Sequence, residues 1–157
     1  MVRNILQKVK VFFKQGLNPK ELAMSITFAI MIGIFPIYGI TTAILTILAL
    51  RLKLNLPLML AVSYILTPVQ IFGIVVFLRT GEFFLGLEPL GLDLQSIKEI
   101  LSAGFIRTLQ VLSGSFMTAI FGWVLIALPF SLFLYIFLFQ IFKKFKIWRL
   151  RKESEQN

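Results

Sequence analysis

The chain contains no histidine and no cysteine. It therefore has no imidazole base, no thiol nucleophile and none of the imidazole or thiolate ligands that zinc and haem most often use. Charge is also scarce, because only 15% of the residues are Asp, Glu, Lys or Arg, against about a quarter in an average globular protein. We expect neither an enzyme nor a bound cofactor.

Apolar residues dominate the chain instead. They make up 58% of its 157 residues. Three stretches without any charge, 22–50, 54–78 and 108–142, each exceed the ~20 residues that a helix needs to cross a bilayer. The sequence predicts one all-α integral membrane domain.

Basic residues lie in blocks at the two ends of the chain. Residues 1–15 predict an amphipathic helix on the membrane surface, and residues 143–157 predict a basic cytoplasmic tail. Both blocks are suited to contact anionic lipid headgroups. We expect no nucleic-acid partner, because the cations flank apolar runs instead of forming one basic face.

The positions of the basic residues argue against three simple spans. That topology would put equal numbers of Lys and Arg on both sides of the membrane, whereas cytoplasmic flanks normally hold the excess. If one stretch enters and leaves by the same face, most of the 16 basic residues share a side with both termini. Charge alone permits either 22–50 or 108–142 to be this stretch.

Local sequence favours a re-entrant helical hairpin at 18–50. Gly33, Pro36 and Gly39 lie close together and permit a reversal of the chain. A helix is predicted to begin at Asn18, because Pro19 and Glu21 follow in a capping-box arrangement. The alternative is a single tilted span with a proline kink.

The stretch 54–78 predicts a broken transmembrane helix. Thr67, Pro68 and Gln70 stand where an N-cap, N1 and N3 would stand, so a helix is predicted to start at membrane depth. Such a start offers unpaired N–H groups and a positive dipole end to an anion. The alternative is a kinked helix in which Thr67 satisfies its own backbone.

The second half of the chain predicts an outside loop and a last span. Residues 79–107 carry the acidic residues Glu82, Glu88 and Asp93 and include an amphipathic helix. Residues 108–142 predict a second hairpin arm and a transmembrane helix over 119–142, with breaks offered by Gly114, Gly122 and Pro129. A hairpin at 94–118 would complete an inverted repeat, a common design of transporters.

Residues 16–85 resemble a bacterial family, the domain of unknown function 2062. The resemblance is carried by Asn18-Pro19, by GIFPIYG from Gly33 to Gly39, by Arg51 with Asn55 and Pro57, and by Thr67-Pro68, where the family more often has Asn-Pro. It implies an integral protein of the bacterial inner membrane and partners among envelope enzymes of the glycosyltransferase type. The cytoplasmic position of both termini is predicted by the basic residues instead. The hairpin is more distantly similar to that of DedA-type lipid transporters.

These interpretations combine into one functional hypothesis and one alternative. The hypothesis is a small transporter or flippase for an anionic amphipath such as a lipid phosphate; the alternative is a scaffold for an envelope enzyme. No Asp, Glu, Lys or Arg lies within the three apolar stretches, which argues against transport coupled to protons or sodium through a buried carboxylate. The sequence leaves the oligomeric state open, although a homodimer would bury the hairpin tip better. The candidate anion or substrate-binding residues are Gly33, Pro36, Gly39, Arg51, Asn55, Thr67, Pro68, Gln70 and Arg79.

Overall fold

A computed structural model describes residues 18–37, 39–102 and 104–154, and the regular structure in this part of the chain consists of helices, without strands. The predicted amphipathic helix at 1–15 lies outside the described residues. The helices, in chain order, are α1 (Pro19–Gly33), α2 (Thr41–Leu52), α3 (Leu56–Ile65), α4 (Thr67–Leu85), α5 (Leu94–Ser102) and α6 (Phe105–Ser154).

Helix α1 begins where its capping residues predict. The main-chain N–H of Asn18 donates to Glu21 Oε2 over 3.3 Å, and Pro19 occupies the first helical position, where a missing N–H costs no hydrogen bond. Helices α1 and α2 have 15 and 12 residues. At 1.5 Å per residue they are only about 22 Å and 18 Å long.

The chain that leaves α2 returns to the first half of α1. Lys53 ends α2 in a left-handed conformation with φ of 54°. Two residues later, the main-chain N–H of Asn55 donates to Ser25 Oγ over 3.1 Å. The start of α1, the end of α2 and the start of α3 therefore lie at the same end of the molecule.

Helix α6 runs antiparallel to α1. Phe142, near the C-terminal end of α6, is buried with Leu22 and Ala23 at the start of α1. At the other end of α1, the indole of Trp123 donates to the main-chain oxygen of Met31. The basic residues that follow Phe142 consequently lie at the same end of the molecule as the first turn of α1.

Helices α4 and α6 touch through glycine. A Cβ atom added to Gly81 would overlap the main-chain oxygen of Thr118, and one added to Gly122 would overlap the main-chain oxygen of Phe77. Such small residues let helix backbones approach closely, as in membrane helix pairs. The main hydrophobic core includes this contact. Its buried residues are Ala29, Ile32, Leu45, Ala49, Leu54, Met59, Phe77, Leu78, Ala119, Trp123 and Ala127.

The outer surface is strongly apolar. Phe72, Phe83 and Ile65 are 77%, 81% and 76% exposed. Two helical segments, Thr67–Leu85 and Gln110–Ile147, are long and apolar enough to cross a bilayer. Extended apolar surface is uncommon on monomeric proteins in water, so these features favour association with a membrane.

The predicted outside loop at 79–107 begins too early. Helix α4 continues to Leu85 and ends at Gly86, which adopts a left-handed φ of 65°. Glu82, predicted to be a solvated loop residue, lies within α4 and is 4% exposed. Arg79 and Glu82, three residues apart on α4, form an ion pair. Such a pair stabilises the helical conformation of the last turns of α4.

The helix that contains the predicted last span extends beyond both of its predicted limits. Helix α6 is one helix of 50 residues with Pro129 inside it, so it breaks at none of the predicted positions and has no turn at 118–119. Gly122 serves close packing against α4 instead. The helix also continues through residues 143–154 of the predicted basic tail, since Lys, Arg and Glu are good helix formers.

Candidate functional site at the tip of the first two helices

The segment between α1 and α2 is irregular and partly buried. Gly33 ends α1 against α3, where a Cβ atom would lie 3.2 Å from Ser63 Cα. Pro36 is among the fully buried side chains. The main-chain N–H of Phe35 donates to the carbonyl of Ile32 over 3.0 Å, so the helix tightens before the chain turns.

Gln70 on α4 ties this segment to the rest of the molecule. Its side-chain amide is 3% exposed, and Nε2 donates to the main-chain oxygen of Phe35 over 2.7 Å. A carbonyl in a non-helical turn needs a partner when it is buried. Gln70 supplies that partner from 35 residues along the chain.

Trp123 on α6 also donates a hydrogen bond to a main-chain carbonyl near the end of α1. Its Nε1–H donates to the carbonyl of Met31 over 3.2 Å. Its ring meets that of Phe35 edge to face, with centroids 4.9 Å apart. Trp123 is not among the candidate residues taken from the sequence. The signal for its role is its indole donor, which usually finds a partner when it is buried.

We call Gly33, Phe35, Pro36, Gln70 and Trp123 the tip cluster. It contains three of the nine candidate residues, Gly33, Pro36 and Gln70, and it joins the α1–α2 segment to both α4 and α6. The Gly-Pro segment thus lies close to the first turn of α4 in the structure.

A helix starts at Thr67, as predicted, but Thr67 is not its N-cap. Leu66 stands at the cap of α4 with αR dihedral angles and provides no side-chain cap. The main-chain N–H of Leu66 donates to carbonyls of α3, and Pro68 has no N–H. The break between α3 and α4 therefore has fewer free donors than the predicted arrangement offers, and no side-chain cap.

Gly39 has a different environment from the tip cluster. It is exposed, has a φ of 95°, and a Cβ atom there would meet nothing within 4 Å. It precedes α2, whose N-cap residue Ile40 provides no side-chain cap. The first N–H groups of a helix have no partner within it, so the uncapped helix start near the tip is that of α2.

Asn55 and Arg51 lie away from the tip cluster. The Asn55 side chain accepts a hydrogen bond from the N–H of Leu58 over 2.9 Å and so caps α3. Arg51 is exposed in the last turn of α2, where a cation is favourable to the helix dipole. Both residues have local structural roles at the opposite end of α2.

Arg79 and Glu82 close the loop that follows α4. Arg79 Nη1 lies 2.8 Å from Glu82 Oε2, and Arg79 Nη2 donates to the carbonyl of Leu90 over 2.9 Å. The N–H of Leu90 donates to Glu82 Oε1 over 2.8 Å. Arg79 is therefore engaged with the loop and does not approach the tip cluster.

The described residues contain no group of three or more acidic, histidine or cysteine residues that could hold a metal ion. What the tip cluster offers chemically is a set of buried neutral hydrogen bonds and one edge-to-face aromatic pair. Such an arrangement holds a backbone segment in place.

Comparison with known proteins gives a family assignment. A family model described as an uncharacterized protein conserved in bacteria (DUF2062) matches residues 2–151, well beyond the residues 16–85 that carry the motifs. No curated protein and no solved structure matches the chain, so the expected likeness to DedA-type transporters is not shown. The extent of the match establishes that the chain belongs to the bacterial DUF2062 family.

Proposed function

We propose that this protein is an integral protein of the bacterial inner membrane that binds an anionic amphipath, such as a lipid phosphate, and moves it across the bilayer. The observation that carries the proposal is the hydrogen bond from Gln70 to Phe35. It joins an irregular backbone segment to a helix next to its kink. Transporters commonly form substrate sites where such interrupted helices meet.

In this proposal α1 and α2 form a re-entrant hairpin with its tip inside the membrane. Each helix is shorter than the ~30 Å hydrocarbon core. Ser25 and Asn55 bring the entry and exit of the segment to the same end of the molecule. Irregular backbone at membrane depth is tolerated where protein buries it or a cavity surrounds it, and the tip cluster supplies such burial.

The anion would approach the uncapped start of α2. Gly39 and Thr42 are exposed there, and helix N-termini favour negative charge through their free N–H groups and dipole. This location replaces the start of α4, where the N–H of Leu66 is bonded to α3 and Pro68 has no N–H. We do not extend the proposal to an inverted repeat, because α6 is continuous through residue 118.

The topology is tested by labelling single cysteines introduced into the cysteine-free chain. Leu52→Cys and Phe145→Cys are expected to react with a membrane-impermeant maleimide only from the cytoplasmic side. Glu88→Cys, in the exposed loop after α4, is expected to react only from the outside. Labelling of Leu52→Cys and Phe145→Cys from opposite sides contradicts the re-entrant hairpin.

Transport is tested in proteoliposomes that contain a fluorescent phosphatidylglycerol. A membrane-impermeant reductant removes the fluorescence of the outer leaflet, and any further loss measures exchange between leaflets. Gly39→Ala is expected to slow exchange between leaflets. Gly86→Ala is the matched control, because Gly86 also has positive φ and open surroundings but lies after α4. Equal effects of the two variants, or no exchange by the wild type, contradict the proposal.

The alternative function is a membrane scaffold for an envelope enzyme. One observation favours it: Ile47 and Leu50 on α2 are 60% and 74% exposed, which offers an apolar face to a partner helix or to a second copy in a homodimer. Polar substitution at Leu50 distinguishes the two functions, since it is expected to weaken pull-down of a partner without slowing lipid exchange.

A further inference from the structure

A groove separates part of α1 from α6. Its volume is about 370 Å³, within the ~300–1,000 Å³ range of small-molecule sites. Helix α1 contributes the lining residues Lys20, Met24, Thr27 and Phe28. Helix α6 contributes Leu132 and Tyr135. The groove ends at Met31, whose carbonyl accepts the hydrogen bond from Trp123 in the tip cluster.

The groove has a charged end and an apolar interior. Lys20 is exposed in the first turn of α1, just before the charge-free stretch that starts at residue 22. From Lys20 to Met31 the groove follows α1 for about 16 Å, at 1.5 Å per residue. A cation at one end of an apolar channel matches a molecule with an anionic head and a hydrocarbon chain.

Thr27 adds a second polar feature inside the groove. Its side chain is buried, with the residue 6% exposed, and Oγ1 has no hydrogen-bond partner. Three other helical threonines, at positions 46, 80 and 118, donate to the carbonyl four residues earlier. A buried hydroxyl without a partner is unfavourable, and an ester oxygen of a bound lipid would be a suitable acceptor after a rotation about χ1.

We propose that the α1–α6 groove binds one acyl chain of an anionic glycerophospholipid, with the phosphate at the Lys20 ammonium and the ester region near Thr27. The inference rests on the membrane location in the proposed function and does not require transport. The shallower depression lined by Val75, Arg79 and Phe83 is a weaker candidate, because Arg79 is already paired with Glu82.

The test uses the full chain in nanodiscs that contain a phosphatidylglycerol with a photoreactive acyl chain. Adducts mapped by mass spectrometry are expected on Met24, Phe28 and Leu132. They are expected to be sparse on Phe72, an exposed apolar residue on α4. Lys20→Gln is expected to reduce groove adducts about fivefold, equivalent to ~1 kcal/mol for a basic residue at an anionic surface.

Two variants make the result specific. Lys53→Gln removes the same charge at the same end of the molecule, outside the groove, and is expected to leave the adducts unchanged. Thr27→Val removes the unpaired hydroxyl at constant shape. It is expected to raise the melting temperature of the lipid-free protein while lowering adduct yield, whereas a purely structural role of Thr27 would not lower the yield.

The proposal is overturned if groove residues are labelled no more than Phe72, or if Lys20→Gln and Lys53→Gln give equal adduct yields. It is also overturned if a phosphatidylcholine analogue labels the groove equally well, or if cross-links join it to a second copy of the chain. Groove labelling without lipid exchange in proteoliposomes would refute the transport function and leave this inference standing.

Discussion

The side-chain amide of Gln70 holds the main-chain carbonyl of Phe35 over 2.7 Å, across 35 residues of sequence. Gln70 is 3% exposed, and Phe35 is partly buried. The contact fixes the segment between α1 and α2 against α4. The stability of the tip cluster should therefore depend in part on this neutral hydrogen bond.

Replacing Gln70 by leucine should test that dependence. We expect Gln70→Leu to lower the free energy of unfolding by ~1–3 kcal/mol, because the Phe35 carbonyl loses its partner in a buried position. Gln110→Leu is the control, since Gln110 is exposed on α6 and such changes usually stay within about 0.5 kcal/mol. Thermal unfolding in detergent measures both, and equal melting temperatures would refute the role of Gln70.

The glycines of α6 should respond in opposite directions to alanine. Gly122→Ala places a Cβ atom into the main chain of Phe77, so we expect a loss of ~1–3 kcal/mol or more from overpacking. Gly114→Ala on the same helix meets nothing within 4 Å and should gain ~0.5–1 kcal/mol from helix propensity. Thermal unfolding of the two variants checks the prediction, which fails if both changes have the same sign.

Removal of the Glu82 carboxylate should release the loop after α4. Glu82→Ala leaves the Arg79 guanidinium and the N–H of Leu90 without their acceptor, and we expect a loss of ~1–3 kcal/mol. Amide hydrogen exchange of Leu90 should accelerate accordingly. Glu88→Ala, in the same exposed loop, should leave both stability and exchange unchanged. Acceleration of the same size in Glu88→Ala would contradict the assigned contact.

The capping role of Asn55 predicts a graded series. Asn55→Ala should cost ~0.5–2 kcal/mol because the N–H of Leu58 loses its acceptor. Asn55→Asp and Asn55→Ser should retain most of the stability, since both side chains can cap. Chemical unfolding of the three variants provides the measurement. If Asp and Ser are no better than Ala, the amide of Asn55 has another role.

Local rules predicted the start of α1 and the break between α1 and α2. The Asn18-Pro19-Glu21 arrangement acts within one helical turn, and the Gly33–Gly39 segment contains its own helix-breaking residues. The candidate site was partly predictable for the same reason: Gly33 and Pro36 lie in the segment whose Phe35 carbonyl accepts the hydrogen bond from Gln70. These features depend on residues adjacent in sequence, or on a buried polar side chain that needed a partner.

Features decided by tertiary contacts were not predictable in this way. Gly122 looked like a helix breaker in the sequence, but it is the point where α6 approaches α4 most closely. Glu82 looked like a solvated acid, although Arg79 and Leu90 bury it. The partner of Gly122 lies on another helix and Leu90 lies in a folded loop, so no local pattern identifies either contact. Only the three-residue spacing of Arg79 and Glu82 is a local signal.

The length of α6 has a mechanical consequence. Fifty residues at 1.5 Å per residue form a rod of about 75 Å, whereas a bilayer with its headgroups is ~40–45 Å thick. A straight rod of this length protrudes well beyond the headgroups or tilts steeply. Either way, a thicker or thinner bilayer would change the inclination of α6. Because glycine contacts hold α6 close to α4, α4 would have to tilt with it.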